Sequence, residues 1–138
     1  MKPHFSSKPI IHAPAGDIKH IYKSALNSSI SEVYLSIIKP GATKGWKYHK
    51  QMTCRLTVVL GEVFFSIFSV NSTSDLSSRS GFLLSAQSPS YGVLTIPPLH
   101  WFAFTSRSPQ DSLILNCADF SHDDNEVVRA PLNSYPLD

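Results

Sequence analysis

Gly41-Ala-Thr-Lys-Gly-Trp-Lys-Tyr-His-Lys-Gln-Met-Thr-Cys-Arg-Leu-Thr-Val-Val-Leu-Gly61 is the stretch on which the fold turns. Arg55 to Leu60 is rich in β-branched residues and reads as a strand. Ahead of it, Lys47 and His49 stand two apart, and residues two apart on a strand point to the same side. Both side chains would therefore face the interior of a small barrel, whose mouth is a natural ligand pocket. Trp46 points the opposite way, toward a core or a subunit interface.

Outward from this stretch, Gly and Pro recur at short intervals between runs of Val, Ile, Phe, Tyr and Thr. Glu32–Ile38, Arg55–Leu60, Glu62–Ser69, Gly81–Leu84, Val93–Ile96, Trp101–Thr105 and Ser112–Cys117 read as seven short strands. Their spacing predicts an all-β antiparallel sandwich or barrel. Ile18, Ile21, Tyr22 and Ala25 recur at helical spacing after a possible cap at Asp17, which predicts one helix. Asn71–Ser80 reads as a polar loop. His122-Asp-Asp-Asn-Glu126 consists of turn formers and reads as a solvated turn, with Arg129 as its ion-pair partner.

At 138 residues the chain has room for one domain, read here as residues 1–138 with an N-terminal extension (1–15) and a C-terminal tail (121–138) wrapping the outside. Charged residues make up 16% and hydrophobic ones 42%, the profile of a globular chain rather than a disordered one. A net charge of +2 without a basic cluster leaves no footprint for nucleic acid. The longest apolar stretch, Leu56–Val70, is broken by Gly61, Glu62, Ser66 and Ser69, so no membrane partner is expected. Met1–Ile10 has no apolar signal core, and the expected compartment is the cytoplasm. Cys54 and Cys117 lack a CxxC or CxxH pattern and read as free buried thiols, with a disulfide as the lesser reading.

The spacing of the opening stretch resembles the first cupin motif: a Gly, five residues, His-x-His, four residues, Glu, six residues, Gly. Lys47 and His49 stand at the two His positions and Cys54 at the Glu. Gly92-Val-Leu-Thr-Ile-Pro-Pro98 followed by His100-Trp-Phe-Ala103 resembles the second motif, with Ala103 at its last His. The resemblance implies a cupin (RmlC-like) antiparallel β-barrel, or jelly roll. Of the four metal donors such motifs supply, His49 alone is retained; an ammonium at Lys47 and a methyl at Ala103 are not ligands, so no metal is expected.

Within the cupins, Glu32-Val-Tyr34, Lys39-Pro-Gly41, Lys44–His49, Thr95–Pro98 and His122–Glu126 resemble the group of dTDP-4-dehydrorhamnose 3,5-epimerases and nucleotide-sugar 3,4-ketoisomerases. That resemblance implies a nucleotide-sugar substrate with a 4-keto-6-deoxysugar, no cofactor, a place in surface-polysaccharide synthesis, and a homodimer. The epimerase pattern places its catalytic His at Lys47, its Tyr at Leu115 and its Asp beyond the last residue here. The ketoisomerase pattern, Arg-Gly-x-His-x-His with a Tyr on the preceding strand, is matched by His49 and Tyr34. It implies His49 as base, Tyr34 as shuttle for the oxygen-linked proton, and Lys47 as the cation that neutralises an enolate. Lys44 is the candidate for the diphosphate, with Arg55 a further phosphate candidate and His100 and Trp101 for stacking. The plainer readings are a His49 bonded to Cys54 or a hydroxyl, packed aromatics at Tyr34 and Trp101, and solvated cations at Lys44, Lys47 and Arg55. A degenerate cupin that binds a sugar nucleotide or a protein without chemistry is the alternative function.

Overall fold

Residues 1–23, 29–69 and 79–137 are described by the computed structural model. Their strands are β1 (His4–Ser7), β2 (Ile10–Ile11), β3 (Ile18–Lys19), β4 (Glu32–Ile38), β5 (Thr43–His49), β6 (Cys54–Leu60), β7 (Glu62–Ser69), β8 (Ser80–Ser85), β9 (Gly92–Ile96), β10 (His100–Ser106), β11 (Ser112–Ala118) and β12 (Val127–Arg129). All seven strands expected from composition are present. Two five-stranded antiparallel sheets, ordered β1-β9-β6-β11-β4 and β12-β5-β10-β7-β8, face each other, and β2 pairs with β3. This is the all-β jelly roll that the motifs imply.

The two motif glycines occupy turns that need them. Gly41 (φ +71°) precedes β5 and Gly61 (φ +88°) separates β6 from β7, both in the left-handed region that side chains avoid. A Cβ at Gly61 would also strike Ser112. The spacing between them is thus the length of two strands and their connection.

Each inner sheet face supplies alternate residues to one core, including Leu56, Val58, Phe65, Ile67, Leu84, Leu94, Phe104 and Ile114. A second cluster lies outside the β5-β10-β7 face, where Trp46, Phe68 and Ala103 are covered by Tyr135 and Leu137 of the tail. Trp46 is fully buried there, and its Nε1 donates to the Leu132 carbonyl at 3.1 Å. Leu132 lies against Gly45 so closely that any side chain at Gly45 would displace it. Ala130, Tyr135 and Leu137 of the tail pack on the outer face, and β12 joins the sheet beside β5.

Two expectations fail. Ile18 and Lys19 form β3 rather than a helix, because pairing with Ile10 and Ile11 overrides a weak 3.6-residue pattern; Ala25 lies outside the described residues. The second motif is out of register by one: Ala103 faces the outer cluster and Phe102 the interior. Most of the expected polar loop, residues 71–78, also lies outside the described residues. Among the described residues no helix is long and apolar enough to cross a membrane.

Replacing Trp46 with Ala should lower unfolding free energy by about 3–5 kcal/mol, the usual cost of emptying a buried aromatic site. Urea denaturation measures this. A loss below about 1 kcal/mol would mean that the tail does not pack on β5.

Candidate active site

Four strands aim polar side chains into one end of the interior. Tyr34 and Ser36 come from β4, Lys47 and His49 from β5, Cys54 from β6, and Asn116 from β11, with Phe102 and Phe104 of β10 forming an apolar wall. The space between them holds about 40 Å³, enough for one or two waters. Larger openings lie elsewhere on the surface, but this one gathers an imidazole, a phenol and an ammonium.

His49 is 7% exposed and stacks on Phe102 at a centroid distance of 6.1 Å. Its Nδ1 bonds to Glu126 Oε1, and the other carboxylate oxygen accepts the amides of Gln51 (3.1 Å) and Met52 (3.3 Å). Glu126 is 3% exposed. The pairing of Val127 with His49 at the start of β12 delivers it. The solvated-turn reading therefore fails at Glu126, the residue of the polar run that turns inward. Burial alone would raise its carboxyl pKa, but the His49 bond and the two amides outweigh this and hold it below the usual value. An ionised carboxylate accepts, so Nδ1 carries a proton and the lone pair of a neutral His49 sits on Nε2, for which no described residue is a partner. The His49 carbonyl is anchored too, accepting the amide of Leu99 at 2.8 Å. Leu99 is the one non-glycine with positive φ (+68°) among the described residues, a local strain of the kind that gathers at functional sites.

Opposite, the Tyr34 hydroxyl accepts from Asn116 Nδ2 at 2.9 Å. Burial pushes the phenol above its ordinary pKa, and the Asn116 bond draws it partly back. Lys47 is partly buried and, among the described residues, has no carboxylate partner. Burial, then the cations Arg129 and Lys44, lower its pKa. Cys54 is pushed up to about 12, chiefly by burial, so it is a neutral thiol; its Sγ donates to Met52 Sδ at 3.7 Å rather than to His49. Among the described residues no three His, Cys, Asp or Glu converge as a metal site would require.

The remaining candidates scatter. Lys44 lies at the rim and donates to Ser36 Oγ at 3.1 Å. It reaches the inner face because a bulge sets Lys44 and Lys47, three apart, opposite Phe104 and Phe102, two apart. Arg55 faces outward, its guanidinium over the Tyr22 ring at 5.1 Å. Trp101 belongs to the outer cluster, against Tyr48 and Tyr135. His100 lines a neighbouring cleft of about 450 Å³ with Lys2 and Arg79, its Nδ1 donating to the Pro98 carbonyl at 2.9 Å. The residues that sequence reasoning missed are Glu126 and Asn116. Val127-Val128, a β-branched pair straight after the polar run, was the available signal for the first.

A dTDP sugar isomerase from Desulfovibrio desulfuricans G20 superposes with a TM-score of 0.88 at 27% identity, over 99% of this chain and 89% of that one. This chain has the RmlC-like cupin fold. The 3,4-ketoisomerase QdtA from Thermoanaerobacterium thermosaccharolyticum, solved with TDP, follows the same fold at 20% identity and a TM-score of 0.75, covering 94% of this chain and 88% of its own. The dTDP-4-dehydrorhamnose 3,5-epimerase of Bacillus anthracis, solved with TDP and pyrophosphate, does so at 14% and 0.79, over 99% and 86%. No family model and no curated protein sequence matches this chain.

Glu126→Gln keeps the shape, but its amide nitrogen must face either the His49 Nδ1–H or the Gln51 and Met52 amides, so one side is left mispaired. It should cost about 2 kcal/mol at neutral pH. A carboxyl whose folded pKa is depressed stabilises above its unfolded pKa and loses that contribution as pH falls through the folded one. The stability difference between wild type and Glu126→Gln should therefore be full at pH 7 and shrink below about pH 4.5, as read from thermal midpoints against pH. A constant difference across that range would contradict an ionised Glu126.

Proposed function

We propose that this RmlC-like cupin isomerises a nucleotide-linked 4-keto-6-deoxysugar, moving the carbonyl from C4 to C3. The observation that carries the reading is a His49 whose Nδ1 is occupied by Glu126, facing a phenol held by Asn116 across one small interior space. Isomers of this kind interconvert through an enediol. His49 Nε2 takes the C3 proton, the electron pair forms the C3–C4 double bond, and Tyr34 protonates O4. The O3 proton then returns to Tyr34, the C3 carbonyl forms, and His49 delivers its proton to C4. No oxidant is needed. Lys47 stabilises the anionic oxygen in between. Lys44 at the rim is the diphosphate contact, as a point charge.

The similarity to a dTDP sugar isomerase and the TDP bound by the ketoisomerase and epimerase neighbours support a dTDP-sugar substrate. A cytoplasmic role in surface-polysaccharide synthesis follows on the same reading. So does a homodimer, in which a second copy covers the exposed Val33, Leu35 and Ile37 of edge strand β4. The small free volume favours one second reading, a cupin that binds its sugar nucleotide at the mouth without chemistry, since about 40 Å³ holds one or two waters rather than a pyranose.

Incubation with dTDP-4-keto-6-deoxyglucose in deuterated water separates the two. The isomerase shifts the carbonyl, leaving deuterium at C4 of the 3-keto product and at C3 of recovered substrate, and His49→Ala lowers the rate by at least about 10²-fold, the usual worth of a positioned base. Exchange at both C3 and C5 would indicate epimerisation. Thermal stabilisation by the nucleotide sugar without exchange would establish the binding reading instead.

A further inference from the structure

Asn116 stands directly opposite Tyr34 in the β11–β4 ladder, on the same inner face, and is 3% exposed. Its Oδ1 accepts the backbone amide of Arg55 at 2.9 Å. Only the oxygen of a carboxamide can accept from an N–H, so this bond fixes which way the group is turned. Nδ2 then necessarily faces Tyr34, 2.9 Å from Oη, and donates to it; its other proton lies toward Met52 Sδ at 3.9 Å. The phenol oxygen is thereby an acceptor on its β11 side. Its own proton must point elsewhere, and among the described residues nothing else accepts it, which leaves the interior space shared with Ser36, Lys47 and His49.

We infer that Asn116 is a positioning residue that makes Tyr34 a hydrogen-bond donor into the pocket, as Glu126 makes His49 an acceptor. The inference deepens the isomerase reading and rests on it for its chemical meaning: one acceptor and one donor face each other before substrate arrives. The same bond stabilises the phenolate in the step where Tyr34 has given its proton to O4. The charged and titratable groups around Tyr34 are Lys47, His49, Cys54, Glu32 and Glu126, and none of them bonds its hydroxyl.

Asn116→Asp tests this. The carboxylate is nearly isosteric and still accepts the Arg55 amide, but toward Tyr34 it can only accept, so it captures the phenol proton and opposes a phenolate. Asn116→Leu removes the donor without adding charge and serves if the first variant folds poorly. A fluorinated tyrosine that ionises in the neutral range, placed at position 34, is titrated by absorbance and ¹⁹F shift in each background. The ionisation constant should fall by about tenfold or more in Asn116→Asp, the scale of one charge-assisted hydrogen bond, and by less in Asn116→Leu. An unchanged constant in a folded variant overturns the inference. This titration needs no turnover, so it is decided even if the isomerase reading fails. With turnover, Asn116→Asp should slow carbonyl transfer at least tenfold more than deuterium exchange at C3, whereas equal loss of both would reduce Asn116 to a structural role.

Discussion

The carboxylate of Glu126 is the fixed point of the interior. It is enclosed by protein, and removal of an ion from water is tolerated only where every lone pair is met. Here the His49 Nδ1 meets one oxygen and the Gln51 and Met52 amides the other, while the Glu126 carbonyl accepts the Lys50 amide at 2.9 Å. These bonds tie the turn after β5 to a residue 77 positions away. They also settle the chemistry of the imidazole, since a proton held on Nδ1 leaves Nε2 as the basic atom. Fold and proposed reactivity rest on the same group.

β5 carries two functions on its two faces. Inward, Lys47 and His49 join Tyr34, Ser36 and Asn116 at the polar end of the barrel; outward, Trp46 anchors the tail through Phe68, Tyr135 and the Leu132 carbonyl. The tail thus holds β12 against β5, and β12 holds Glu126 against His49. Gly45 is small because Leu132 passes over it. The same strand bulges beside it, and that bulge turns Lys44 back to the inner face. Packing outside the barrel and proton placement inside it are linked through a single strand of seven residues.

Much of this was legible in the sequence. Gly41 and Gly61 marked turns because each needs a left-handed backbone, and period-2 alternation put Lys47 and His49 on one face and Trp46 on the other. What was not legible depends on long-range pairing. Glu126 sits in a polar run that in isolation belongs in water, and only the β12–β5 ladder carries it inside. Asn116 looked like one polar residue in an apolar strand until its register with Tyr34 was known. Ile18 and Lys19 took strand geometry from their partners Ile10 and Ile11. Ala103 and Lys44 were displaced from their apparent faces by one residue each, the error that a shift of register or a bulge produces in any period-2 reading. Arg55 and Trp101 alternate outward, away from the site to which their chemistry had suggested they belong.

The central claim is that His49 is held as an Nδ1-protonated imidazole with a free Nε2 in the barrel interior. Long-range ¹H–¹⁵N correlation spectra of ¹⁵N-histidine-labelled protein at mildly alkaline pH read that tautomer directly, with His49→Gln assigning the signal. The account predicts a single, slowly exchanging Nδ1–H form for His49. A proton residing on Nε2, or averaged between the two nitrogens as in a solvated histidine, would contradict it.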